Sequence, residues 1–123
     1  MGEWRNGRGA LSVDGEPGRG PVPVEIAASY GTRRRGLLGR DGLDGALLLT
    51  PCGSVHTFGM RFAIDVAYLD RALRVLAVVT VRPGRMPLPR LRARHVLEAE
   101  AGAMEQWGVR RGARLVIEAA MAG

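Results

Sequence analysis

The sequence predicts a mainly β protein: an antiparallel β-sandwich or small barrel with two short helices. Three observations carry that prediction. Apolar residues alternate with polar ones, or run unbroken for the length of a strand, in about seven places. The segments between them are short, or rich in Gly, Pro and Arg, and leave no room for the long crossover helices of a doubly wound parallel sheet. Aromatics make up only 5% of the 123 residues, so the core must be built from Leu, Val, Ile, Ala and Met.

Residues 1–21 are rich in Gly, Arg and Pro, with Trp4, Leu11 and Val13 as the apolar anchors. They read as a flexible or loosely ordered N-terminal segment, or as a loose hairpin about Asn6-Gly7. Residues 22–120 read as a single β-rich domain. The first firm strand is 22–29, where Val22, Val24 and Ile26 alternate with Pro23, Glu25 and Ala27. Thr32 then caps a short helix over 33–39, with Leu37 and Leu38 inward. The run 46–50 (A-L-L-L-T) is apolar throughout and fits a buried strand ended by Pro51. Residues 55–58 suit a short extended piece.

The pattern continues with a strand over 62–69 and another over 73–81, paired as a hairpin through a turn at Asp70. Residues 82–94 hold three prolines and five arginines and form a long surface loop. A strand over 95–100 follows, on which Glu98 and Glu100 read as an ordinary solvated face. The second helix spans 102–107, ended by Gly108 as a left-handed cap. The last strand is 114–119, with Leu115 and Ile117 inward.

The formal charge is +6, which raises the question of a polyanionic partner. All eighteen basic residues are arginine, and Ala and Gly are abundant. That pattern matches the codon bias of a GC-rich genome, which spreads arginine over the whole surface. Nucleic acid is therefore not the favoured partner. A single cysteine leaves no intramolecular disulfide and no multi-thiolate zinc site. No cofactor or metal is expected. The N-terminal residues lack the apolar core of a secretory signal, and no apolar run reaches a membrane span, so the expected compartment is the cytoplasm.

Unusual side chains gather between residues 52 and 70. Cys52 and His56 lie four apart, on the same face of an extended segment. They suit a nucleophile and its base, half of a metal site, or a buried thiol beside a hydrogen-bonded histidine. Asp65 interrupts an apolar strand, where a carboxylate needs partners. Arg33, Arg40 and Arg61 are candidates, and a structural ion pair of Asp65 with Arg33 and Arg40 is the leading expectation. Cys52, His56, Met60, Arg61 and Asp65 make the expected ligand-binding set.

The chain also resembles a widespread prokaryotic family known as domain of unknown function 192, across most of its length. The first signature is Arg33, Gly36, Leu37, Leu38, Arg40 and Leu43. The second is Phe58, Met60 and Arg61 before Ile64-Asp65-Val66. The third is Leu97, Glu98, Ala101 and Gly102, then Gly108 and Gly112. The resemblance implies a β-sandwich-like architecture and carries no established activity. The commoner form has F-W-M-K-N-T before a Pro-Leu-Asp strand. This chain has Phe58-Gly59-Met60-Arg61-Phe62 and Ala63 instead, so a pocket shaped by those residues differs here.

The expected function is that of a small ligand-binding or accessory β-domain with its site in residues 52–65, taking a small anionic ligand. One alternative is a small hydrolase or transferase with His56 as base, Cys52 or a water as nucleophile, and Asp65 orienting the imidazole. Another is a polyanion or nucleic-acid binder using Arg82, Arg85, Arg90, Arg92 and Arg94 of the long loop.

Overall fold

Seven runs of the chain pair into one curled, half-barrel sheet: β1 (Gly7–Val13), β2 (Val22–Ala27), β3 (Ala46–Leu49), β4 (Ile64–Leu69), β5 (Val75–Val81), β6 (His95–Glu100) and β7 (Leu115–Ala119). Two short helices, α1 (Tyr30–Arg35) and α2 (Ala103–Trp107), complete it. The computed structural model describes residues 4–16 and 20–120. The strand order is β5-β4-β6-β3-β2-β1-β7. All neighbours are antiparallel except β2 and β3, which run parallel, so the sheet is mixed. The purely antiparallel expectation fails there because α1 and the turn after it act as a crossover, which is what a parallel pair requires. The outer strands β5 and β7 approach each other through a single antiparallel bridge, Arg74 to Arg114.

The N-terminal residues correct the sequence reading. Gly7–Val13 is a strand between β2 and β7, with Leu11 and Val13 buried. Asn6 ties it down rather than turning a hairpin. Its Oδ1 accepts from the Ala28 N–H at 2.6 Å, the Ser29 N–H at 2.9 Å and the Thr32 hydroxyl at 2.9 Å. Helix α1 accordingly starts at Tyr30, three residues before its expected start, because Ser29 and not Thr32 is the N-cap. Ser29 and Thr32 cap each other's backbone N–H reciprocally. Gly36, at φ 46°, ends the helix.

Both faces of the sheet are covered, which explains why β3 and β4 are apolar without alternation. One face packs Leu11, Val24, Leu48, Leu69, Leu97 and Leu115 with Met104 of α2. The other packs Leu47, Leu49, Ile64, Val66, Tyr68 and Val96 under Leu37, Leu43 and Met60. No strand forms over 55–58. That loop is fastened to the 82–94 loop by Thr57, a fully buried residue. Its hydroxyl donates to the Arg82 carbonyl at 2.6 Å and accepts from the Arg85 N–H at 2.9 Å. The cover over the second face is therefore pinned at Thr57, and it forms walls of the site.

Candidate functional site

Strand alternation decides which side chains can meet. On β4, Ile64, Val66 and Tyr68 face the second core, so Asp65 faces the first. On β6, Leu97 faces the first core and Val96 the second, which puts Glu98 on the Val96 side. Asp65 is buried and fully engaged. Its Oδ1 accepts from the Thr80 hydroxyl at 2.7 Å, and its Oδ2 accepts from the N–H groups of Gly102 at 2.9 Å and Met104 at 3.2 Å. It therefore closes the start of α2, whose N-cap, Gly102, has no side chain to do so.

This corrects the expected ion pair. Arg40 makes a two-pronged bridge to Glu25, at 2.7 and 3.0 Å, which raises its own pKa and lowers that of Glu25. Arg33 donates to the Ala28 carbonyl at 2.6 Å. Arg61 bridges to Asp41 on the surface at 2.8 Å. The reason is geometric: α1 and the segment after it lie over the second face, and Asp65 points to the first. For the same reason Asp65 does not orient His56, and the Cys–His–Asp constellation is not assembled.

Three of the expected residues do come together. Cys52, His56 and Met60 line a pocket of about 140 Å³, walled by Arg33, Leu37 and Leu49. Glu98, expected on a solvated face, also lines it, with Ser54, Arg34 and Arg35. Glu98 is 4% exposed, and among the described residues its carboxyl has no hydrogen-bond or ion-pair partner. Burial alone pushes its pKa up to about 7. The loop and helix that cover it lie far from it in sequence, so alternation along β6 could not reveal the burial. The one available signal was Glu98's place in the third family signature.

The other groups near Glu98 respond to it. Cys52 is half-buried and donates its Sγ–H to the Ser54 carbonyl at 3.1 Å. Burial raises its thiol pKa and the Glu98 carboxylate adds to that, against the Ser54 hydrogen bond and Arg33. A thiol held in its neutral form is a poor nucleophile. His56 stays exposed, accepts from the Phe58 N–H at 3.3 Å and stacks on the Phe58 ring at 5.0 Å. No hydrogen bond joins it to Cys52. Tyr68, on the same face of the sheet as Glu98, is fully buried with a hydroxyl that has no partner among the described residues. Its phenol is pushed up by burial first, and Cys52 and Glu98 add to that against Arg90.

Among the described residues, no three His, Cys, Asp or Glu side chains gather as a metal site would need. No described helix is long and apolar enough to cross a membrane. The loop arginines are partly engaged: Arg90 lies over the Tyr68 ring at 5.4 Å, and Arg94 donates to the Leu91 and Ala93 carbonyls of its own loop.

The fold and pocket define a class: a mainly β domain with a small pocket over a buried carboxyl. The chain belongs to the uncharacterised family named domain of unknown function 192 (described as Uncharacterized ACR), whose pattern matches residues 11–117. A UPF0127 protein of Pyrococcus horikoshii is 34% identical over 100 residues, covering 77% of this chain and 81% of the relative. A UPF0127 protein of Pyrococcus abyssi is 32% identical over 84 residues, covering 64% of this chain and 72% of that one. The fold is shared with two crystal structures. One is a protein of unknown function from Novosphingobium aromaticivorans (TM-score 0.72, 19% identity, 87% of this chain and 83% of that one). The other, from Sinorhizobium meliloti 1021, is described as "a putative transcription regulator" (TM-score 0.78, 20% identity, 94% of this chain and 98% of that one).

Proposed function

We propose that this protein is a small-molecule-binding module whose site is the pocket over Glu98. The observation that carries the reading is the buried Glu98, whose carboxyl has no hydrogen-bond partner among the described residues and opens onto the pocket. Burying such a group costs stability unless something pairs with it, and a bound ligand would supply the pair. The pocket, at about 140 Å³, is well below the roughly 300–1,000 Å³ of sites for drug-sized ligands and cofactors. It suits a molecule of few atoms, or the end group of a larger one.

The lining sets the chemistry. Glu98 offers a hydrogen-bond acceptor, or a donor when protonated. Leu37, Leu49 and Met60 supply apolar contact. Arg34 and Arg35, exposed at the C-terminal end of α1, make the mouth basic. A ligand with a donor head and an anionic tail fits both ends, and the tail retains the small anionic ligand expected from the sequence. Catalysis is the weaker reading, since the thiol is held neutral and Asp65 is committed elsewhere. The description of the Sinorhizobium relative would point to nucleic acid, but the arginines of the 82–94 loop that are engaged serve Tyr68 and their own loop. We place the protein in the cytoplasm.

The test is a titration, followed by NMR and by melting temperature, with small amines, amides and amino acids against the wild type and Glu98→Gln. Ligands should shift the amides of residues around Cys52 and Glu98 and bind Glu98→Gln at least tenfold more weakly, the loss of about one charge-assisted hydrogen bond. Equal binding to both proteins, or shifts confined to other surfaces, would remove Glu98 from the site.

A further inference from the structure

The sheet has a second feature that the pocket does not use. β5 is an outer strand, paired only with β4. At its start Val75 bonds the turn before β7: its N–H donates to the Ala113 carbonyl at 2.8 Å, and its carbonyl accepts from Gly112 at 2.9 Å. Beyond that point β5 and β7 part. Among the described residues, Leu76–Thr80 make no backbone hydrogen bond on the side away from β4. The outward backbone groups of those residues are open.

Edges of this kind are normally protected by charge, proline or a bulge. β5 reads V-L-A-V-V-T-V, with neither charge nor proline, and its one irregularity lies at the paired start, opposite Tyr68 and Leu69. The other edge, β7, is shorter and carries Glu118. A groove of about 630 Å³ runs along Leu76–Thr80 between β5 and the α2–β7 turn. Beyond the end of β5, the 82–94 loop exposes Met86, Leu88 and Leu91, at 68%, 84% and 93%. Of these, Met86 lies beside the end of the edge, lining a cleft with Val79–Val81.

The charge around it is one-sided. Arg90 and Arg111 line the groove, and Arg82 and Arg85 line its continuation past Thr80. Glu105 is the exposed acid among them, since Asp65 is spent on Thr80 and α2 and Arg110 is paired with Glu16. A second copy of this chain, docked edge to edge, would bring four more arginines against these four.

We propose that the free edge of β5 is a strand-addition site for an extended polypeptide segment carrying acidic side chains. Such a segment pairs its backbone with Leu76–Thr80, rests apolar side chains in the groove, and sets carboxylates beside Arg111 and, past Thr80, beside Arg82 and Arg85. The backbone supplies the binding and the arginines choose the partner.

The test uses the full chain and a capped heptapeptide of alternating valine and glutamate, followed by NMR of the backbone amides. Saturable shifts should centre on Leu76–Thr80 and leave the residues around Glu98 in place. N-methylation of alternate peptide amides should weaken binding on the order of a hundredfold, about three hydrogen bonds. A lysine-for-glutamate peptide, or the variant Arg111→Glu, should bind about tenfold more weakly. Arg111 is exposed on a turn, so an unchanged melting temperature confirms that the variant is folded. The proposal is overturned by no saturable binding, by indifference to N-methylation, or by equal binding of the lysine peptide. A dimer paired through β5 in the absence of peptide would overturn it as well.

Discussion

Two carboxyls lie buried on adjacent strands of one sheet, and they have opposite fates. Asp65 on β4 faces the core that holds α2 and accepts three hydrogen bonds. Glu98 on β6 faces the other core and, among the described residues, accepts none. They are equally hidden, each 4% exposed. Burial alone therefore does not mark a functional acid. Asp65 is accounted for by the helix it starts. Glu98 is accounted for by nothing within the described protein, and it forms the wall of a pocket.

The largest expected effect comes from breaking the satisfied member. Asp65→Ala leaves the Thr80 hydroxyl and two backbone N–H groups unpaired, and should cost about 4 kcal/mol. The shift in denaturant midpoint measures this, and a loss below about 1 kcal/mol would show that α2 does not depend on Asp65.

Glu98→Gln should do the reverse above neutrality. The folded pKa of Glu98, about 7, lies above its ordinary value of 4.5. The folded protein therefore holds the proton more tightly across that window. Stability from this group is full below about pH 4.5 and is lost as the pH rises to about 7, in total roughly 3 kcal/mol. His95 slopes the other way. It is buried against Thr50 with a lowered pKa, so its neutral form is favoured and stability falls as the pH drops below 6.5. The difference between wild type and Glu98→Gln cancels the His95 contribution. The variant should gain over the wild type as pH rises from 5 to 8, by roughly 3 kcal/mol at the upper end, read by thermal melting in matched buffers.

A smaller effect tests how Glu98 speaks to its neighbour. Its carboxylate disfavours the Cys52 thiolate, so iodoacetamide should label Cys52 slowly in the wild type at pH 8 and several-fold faster in Glu98→Gln. Equal rates would mean that the two groups do not share one pocket. The smallest effect belongs to a carboxylate outside both cores. Glu25 meets Arg40 at a half-exposed bridge, so Glu25→Gln should cost at most about 1 kcal/mol, and less in high salt.

What could be read from the sequence follows from which causes are local. β6 lies where expected because its apolar alternation is a property of consecutive residues, and the β4–β5 hairpin because a turn at Asp70 joins two β-branched runs. The start of α1 was misplaced because the cap that decides it, Ser29, is reinforced by Asn6 from another strand. Asp65 was recognisable as a buried acid, yet its partners are backbone donors of α2, which no side-chain pattern advertises. Glu98 looked like a solvated position because alternation describes a strand and not what lies above it. Its cover comes from α1, the turn after it and the Thr57-pinned loop. Cys52, His56 and Met60 were expected together and do line one pocket, since a single loop carries all three.

The central claim is that Glu98 is a buried carboxyl without a partner, available to a ligand. It is tested most directly by following the side-chain carboxyl carbon of Glu98 by NMR as the pH is raised. The account predicts a midpoint near 7, moved when a ligand occupies the pocket. A midpoint near the ordinary 4.5 would show a solvated or already paired carboxylate and would contradict it.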